Sequence, residues 1–289
     1  MSEQKQVLAV HGATSSHWIG DGFPVRTLFP SHGVTELSPF LLLDYAGPAK
    51  FEPSNRPRGV EEHPHRGFET VTISYQGSID HRDSGGNSGT VNPGDVQWMT
   101  AASGVVHEEK HGKDFTAKGG DFEMVQIWVN LPAAHKMSKP RYQAILSADI
   151  PHVELGPGAY ARVIAGELKR VKGPARTFTP LDVFDLRLEA GGTGKLSLPV
   201  GHNSAIVLLR GEVVVNGSST LKGIAQVAPL STSGETVLLE AKARSLVLVL
   251  SGEPINEPVA SYGPFVMNTQ AELRQAAEDY HAGKMGHVG

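Results

Sequence analysis

Short apolar runs separated by glycine- and proline-bearing turns fill the chain up to about Asn130. Phe40 to Leu43 is continuously apolar and is closed by Asp44 and the pair Gly47-Pro48, which reads as a turn. Phe68 to Tyr75 alternates as a half-buried strand does and stops at Gly77. Ser78 to Ser84 runs into Gly85-Gly86-Asn87, a strong hairpin signal, and Pro93-Gly94 realigns the chain before Val96-Gln97-Trp98-Met99. Phe122 to Val129 is a longer strand, closed by Leu131-Pro132.

From about Ala133 to Pro180 the pattern is irregular, with prolines at 140, 151, 157 and 174, and reads as a connection between domains carrying a few strands. A second strand-rich block follows, with β-type runs at Val183 to Leu188, Ala205 to Leu209, Glu212 to Val215, Thr236 to Glu240 and Ser245 to Leu250. One convincing helix comes near the end. Asn268-Thr269 offers an N-cap, Glu272 lies three residues beyond Thr269 to complete a capping box, and Gly283 is placed to end the helix. The two blocks share a layout. Gly59 leads to His63, His65 and Glu69 in the first, and Gly201-His202 precedes an apolar strand in the second, which has one histidine and no carboxylate within its strand. The expectation is all-β: two barrel domains, residues 1–135 with a metal site and residues 136–289 without one, the latter including the connection and the terminal helix.

Composition narrows the function. The 289 residues suffice for two cores, and 33 glycines with 19 prolines suit many short strands. A net charge of -4 leaves no basic footprint for nucleic acid, and Lys169-Arg170-Val171-Lys172, followed by Gly173-Pro174, reads as a solvated loop. There is no cysteine, so disulfides, thiolate zinc sites and cysteine nucleophiles are excluded. The polar start and the broken run Val7 to Val10 form neither a signal peptide nor a membrane span, so a cytoplasmic protein is expected. A monomer is expected too, since two barrels in one chain can bury each other's faces.

The chemistry concentrates in two short stretches. In His63-Pro64-His65, residues two apart in a strand project both imidazoles to one face. His107-Glu108-Glu109 repeats the device, with His107 and Glu109 on one face and Glu108 on the other. Two strands meeting inside a small barrel can gather these four side chains round one ion. Three imidazoles and a carboxylate suit iron, manganese, nickel, cobalt, copper or zinc and leave positions for water, substrate or oxygen. One such pair would be weak, since most histidine pairs bind no metal. Two, each beside turn glycines in one strand-rich block, are much harder to dismiss.

The stretch His63-Pro64-His65-Arg66-Gly67-Phe68-Glu69-Thr70-Val71-Thr72 resembles the first cupin motif as pirins carry it. Pro93 to Ala101, followed by Gly104-Val105-Val106-His107-Glu108-Glu109, resembles the pirin form of the second. Phe40 to Asp44, Trp128 to Pro132 and Gly263 to Thr269 are also similar to pirins. The resemblance implies a bicupin, two jelly-roll-like barrels with one mononuclear site in the first, usually iron(II), on His63, His65, His107 and Glu109. Cupins in general take their carboxylate from the first motif, which here is Glu69. Glu69 shares strand parity with His65 and is expected beside the metal, orienting a ligand imidazole or a water.

Some pirins resemble quercetinases, which open a flavonol ring with dioxygen and release carbon monoxide. On that reading the chain is an oxidoreductase acting on a flavonol and O2, with Glu109 as first and Glu69 as second candidate for the base that takes the 3-hydroxyl proton. Phe40, Phe68, Trp98, Met124 and Trp128 are candidate walls for a flat substrate, although core packing explains each of them as well. Pirins also resemble regulators whose metal shapes a surface for a transcription factor or a metabolic enzyme. A cupin scaffold with an adventitious ion is the blandest reading. His11, His17, His32, His81, His135, His152 and His202 read as surface or packing residues, His111 as a rim residue, and His281 and His287 as exposed. The trio His81, Asp83 and Ser84 lacks the strand-to-helix elbow of a hydrolytic triad.

Overall fold

The computed structural model describes residues 3–13, 15–30 and 37–289, so His32 lies outside the described residues. The chain forms two compact units, and neither is continuous in sequence. One comprises Ser15–Arg26, Leu42–Ser147 and Ile255–Gly289. The other comprises Ala148–Pro254 with the described residues of Met1–Thr14 and Thr27–Leu41. The division expected at residue 135 therefore differs from the observed one most at the chain's two ends. The terminal helix, Gln270–His281, buries Leu273 and Ala276 in a cluster with Val106, Phe265, Met267 and Met285, all in the first unit. Its capping box is formed, with Thr269 Oγ1 accepting from Glu272 N at 3.2 Å and Asn268 N donating to Glu272 Oε2 at 3.1 Å.

Beside a two-stranded ribbon of Ala260–Tyr262 and Phe265–Met267, the first unit is built mainly from two antiparallel sheets. The smaller orders its strands as Gly59–His65, Val105–His111, Ile79–Asp83 and Ser88–Val91. In the larger, Val96–Thr100, Phe68–Gln76, Gly120–Asn130 and Phe40–Phe51 are successive neighbours, flanked by Arg141–Ile145 on one side and Phe23–Phe29 and His17–Ile19 on the other. Register fixes which side chains share a face. Glu69 pairs with Thr100 and Val129, whereas Thr72 pairs with Gln97 and Gln126. Because faces alternate along a strand, Thr70, Thr72, Gln97, Gln126 and Trp128 look to one side of the large sheet and Glu69, Trp98 and Thr100 to the other.

His111 is a correction to the expected rim position. It is buried in an aromatic cluster, 4.5 Å from the ring of Phe51 and 4.8 Å from that of Phe122, and donates from Nε2 to the carbonyl of Gly22 at 2.9 Å. Gly47-Pro48 is not a turn either, since the strand Phe40–Phe51 runs through it. Gly47 has a φ of +98°, and a Cβ there would lie 2.3 Å from the carbonyl oxygen of Phe122, so close backbone approach explains the glycine.

The second unit is mainly one eight-stranded sheet dominated by three long strands, Asn203–Val215, Ser219–Leu230 and Thr236–Gly252, with Glu167–Leu168 and Val171–Lys172 as a separate two-stranded ribbon. Runs expected as separate strands on either side of Gly211 are one bent strand. Gly211 has a φ of +116° and lies against Ser245. The interior is filled mainly by aliphatic side chains, among them Val163, Leu186, Ile206, Leu208 and Val247.

Candidate metal centre

The strands Gly59–His65 and Val105–His111 pair antiparallel with His107 opposite His63 and Val105 opposite His65. On its other side the second of these pairs with Ile79–Asp83, placing Asp83 opposite His107 and His81 opposite Glu109. Cross-strand partners share a face, so sheet register alone gathers His63, His65, His81, Asp83, His107 and Glu109. His63, His65 and His107 each bring a possible ligand atom within 4.8 Å of the others, and His81, His107 and Glu109 form a second such group sharing His107. Of the four residues expected as ligands, His63, His65 and His107 thus form one group, while Glu109 falls in the other with His81 and the shared His107.

The hydrogen bonds of the imidazoles define which nitrogens are free. Nδ1 of His63 lies 2.8 Å from the carbonyl of Glu61, and Nδ1 of His65 lies 3.4 Å from that of Pro264. A carbonyl can only accept, so both Nδ1 atoms carry the proton and both Nε2 atoms present a lone pair. Nδ1 of His107 contacts Nδ1 of His81 at 3.5 Å, while its Nε2 is buried without a hydrogen-bond partner. An orphaned buried nitrogen is costly unless something fills its place, and here it belongs to a trio of convergent imidazoles. Burial, together with the neighbouring imidazoles, holds His65 and His107 well below the usual histidine range, so both are neutral donors. The donor set fits a borderline divalent ion.

Glu109 is buried and held on two sides. Oε1 accepts from Gln97 Nε2 at 3.2 Å with Thr72 Oγ1 at the same distance, and Oε2 accepts from Gln126 Nε2 at 3.2 Å. Thr72 lies only 2.6 Å from Gln126 Oε1, so its single proton goes there and orients that amide. Tyr142 donates to Gln97 Oε1 at 3.2 Å, and burial, with the charges of Asp83 and Glu109, pushes its phenol up to about 12. A phenol that stays protonated remains a donor. These four residues face the site from the large sheet, and sequence patterning did not single them out.

Glu69 does not stand beside the cluster. It lies on the far side of the large sheet, where Oε1 accepts from Thr100 at 2.6 Å and lies 3.8 Å from Arg141. Its expected alignment with His65 fails because the chain breaks between strands at Arg66-Gly67, so parity does not carry across. Of the expected aromatic walls, Phe68 and Trp128 stand at the site, with rings 5.1 and 5.4 Å from that of His65. Trp98 is buried on the Glu69 side, Met124 packs with Phe23 and Phe122, and Phe40 belongs to the other compact unit. His81, expected at the surface or in packing, takes the packed place. It is buried, bonded to Asp83 and stacked on Tyr142 at 5.0 Å. His63, Gln126 and Trp128 are partly exposed and mark the side open to solvent.

Two cupin-type β units, the first carrying a buried cluster of imidazoles beside a clamped carboxylate, define a bicupin. Two family models match the chain, one described as Pirin over residues 22–129 and one as Pirin C-terminal cupin domain over residues 183–286. The chain belongs to the pirin family. It is 53% identical over 282 residues to a Pseudomonas aeruginosa protein named "Putative quercetin 2,3-dioxygenase", covering 97% of this chain and 98% of that one. A crystal structure of quercetin 2,3-dioxygenase from Acinetobacter baumannii matches with a TM-score of 0.95 at 50% identity, covering 99% of this chain and 100% of that one. A bacterial pirin from Escherichia coli, solved in complex with nickel(II), shares the fold at a TM-score of 0.65 and 17% identity, covering 86% and 99% of the two chains.

Proposed function

We propose that the chain is a metal-dependent dioxygenase of the quercetinase type, with one divalent ion, iron(II) foremost, held by His63, His65, His107 and Glu109. The observation that carries this reading is the buried, partnerless Nε2 of His107 beside two imidazoles whose Nδ1 atoms are already occupied. The similarity to proteins named as quercetin dioxygenases supports the substrate class. When bound, the ion would supply Lewis acidity and one net positive charge, after Glu109, to match a flavonol that has lost its 3-hydroxyl proton.

The chain's own groups do the rest. Glu109 accepts the 3-hydroxyl proton, since Oε2 takes one hydrogen bond, from Gln126, and has capacity to spare. Gln97, ordered by Tyr142, and Gln126, ordered by Thr72, keep that carboxylate from turning away. Phe68 and Trp128, with rings 4.3 Å apart, offer an apolar wall to a planar substrate. In the net reaction dioxygen adds at C2 and C4 of the flavonol and C3 leaves as carbon monoxide.

Aerobic quercetin turnover by protein reconstituted separately with iron, manganese, nickel, cobalt and copper tests this, following the flavonol band together with carbon monoxide. Metal-dependent turnover that disappears in His63→Ala is expected. Full metal occupancy without turnover would sink the enzyme reading and favour a regulator. One observation suits that second reading. The outward side of the metal-bearing sheet lines a cleft of about 520 Å³ with Glu61, Arg82, Glu108 and Lys110, an alternating charged surface on the strands that carry the ligands.

A further inference from the structure

Asp83 lies two strands from His63, in a turn whose donors leave it little choice. Its Oδ1 accepts from Gly85 N at 2.8 Å and from Asn87 N and Nδ2 at 3.0 Å, and Oδ2 accepts from Asn87 Nδ2 at 3.0 Å. A carboxyl surrounded by N–H groups serves as an acceptor. Nε2 of His81, 3.2 Å from Oδ2, must then be the protonated nitrogen of that ring, which leaves His81 Nδ1 as a lone pair. That lone pair faces Nδ1 of His107 at 3.5 Å, so His107 carries its proton on Nδ1. The remaining nitrogen, His107 Nε2, is the buried and partnerless one.

We infer that Asp83 and His81 form a two-residue relay that fixes the tautomer of His107 and aims its Nε2 lone pair at the metal. His81 and Asp83 are positioning residues, acting through His107 from the neighbouring strand. The relay completes a set, since the Nδ1 protons of the other two imidazoles are taken by the carbonyls of Glu61 and Pro264. Only His107 relies on side chains for this service, because its position in mid-sheet engages the nearby backbone carbonyls in ladder bonds. Partners that orient a ligand imidazole in this way typically govern about 10- to 100-fold of metal affinity.

The inference rests on the metal-centre reading, and the experiment separates the two. Nickel(II) and iron(II) affinities are measured by chelator competition for the full chain and for His63→Ala, His81→Phe, His81→Gln and Asp83→Asn. The thermal midpoint of each metal-free protein controls for folding. His63→Ala should lose stoichiometric metal, and a full chain that takes up none would overturn the centre and the relay together. His81→Phe keeps the stack on Tyr142 but removes the acceptor, so its Kd should rise about 10- to 100-fold with the apo midpoint held. His81→Gln restores an acceptor oxygen and should recover most of the loss. Asp83→Asn keeps the shape of the turn but presents an amide donor to His81, which inverts the relay and should weaken binding as much as His81→Phe does.

Nitrogen-15 shifts of the His107 ring in the metal-free protein give a second readout independent of metal. The proton should sit on Nδ1 in the parent chain and on Nε2 in Asp83→Asn. Parent-like affinity in His81→Phe, or an unchanged tautomer in Asp83→Asn, would overturn the relay. A fall from two bound ions to one in His81→Phe would overturn it as well, and would make His81 a ligand of a second ion with His107 and Glu109.

Discussion

Two glutamates that look alike in the sequence lie in opposite environments. Glu109 sits among amide donors on the inner face, whereas Glu69 is buried on the other face of the large sheet, where burial raises its carboxyl to about 7 against the hydrogen bond from Thr100. Folding therefore takes up a proton at Glu69 between about pH 4.5 and 7, and this group's contribution to stability falls as pH rises through that window. The full effect is on the order of 3 kcal/mol. Glu69→Gln, which stays neutral, should gain stability relative to the parent chain at pH 8, and the gap should close below pH 5; urea titrations at both pH values check this. Glu69→Gln should also leave metal content near that of the parent chain, while Glu109→Gln lowers it and Ala at His63, His65 or His107 abolishes stoichiometric binding. Elemental analysis of the purified variants decides between these outcomes. The four ligand candidates were legible in the sequence because each His-x-His or His-x-Glu pair lies within one strand. His81 was not, since its role depends on register between strands.

At the level of elements, glycine gave the most misleading punctuation. Gly47 and Gly211 read as turns, yet each lies inside a long strand where another segment approaches too closely for a side chain. Local sequence cannot distinguish a chain that reverses from one that is crowded. Gly67 joins the two motif strands at a φ of +87°, and a Cβ there would lie 1.9 Å from the carbonyl oxygen of Val266. Gly67→Ala should cost about 3 kcal/mol or more and weaken metal uptake, because the displaced backbone carries His65 with it; denaturation and chelator competition measure the two effects. The capping box, by contrast, was readable because it is wholly local. Thr269→Ala should remove about 1 kcal/mol without changing the denaturant slope.

Across the whole molecule, the two-barrel plan and the family followed from strand patterning and the motif residues, and the family models confirm both. Helix periodicity reports an apolar face without naming the surface that covers it, and the terminal helix packs within the first compact unit although the C-terminal family model spans it. The last segment meets the rest of the first unit at several points. Arg66 bonds Asp279 at 2.8 Å, Lys136 donates to Gly67, Asn130 and Val266, and Ser84, next to Asp83, bonds the carbonyl of Met285 at 2.7 Å. A chain ending before Pro264 should lose the native packing of the first unit, seen as a collapsed near-ultraviolet dichroism signal, and should carry no stoichiometric metal.

The carbonyl of Pro264 that orients His65 lies 199 residues further along the chain. A ribosome adding about 5 to 20 residues each second makes the imidazole about 10 to 40 s before its partner. Throughout that interval the nascent first barrel has its histidines but lacks the strap that sets one of them. On the proposed metal centre, His65 is oriented for an ion only once residue 264 has been made and has folded back onto it.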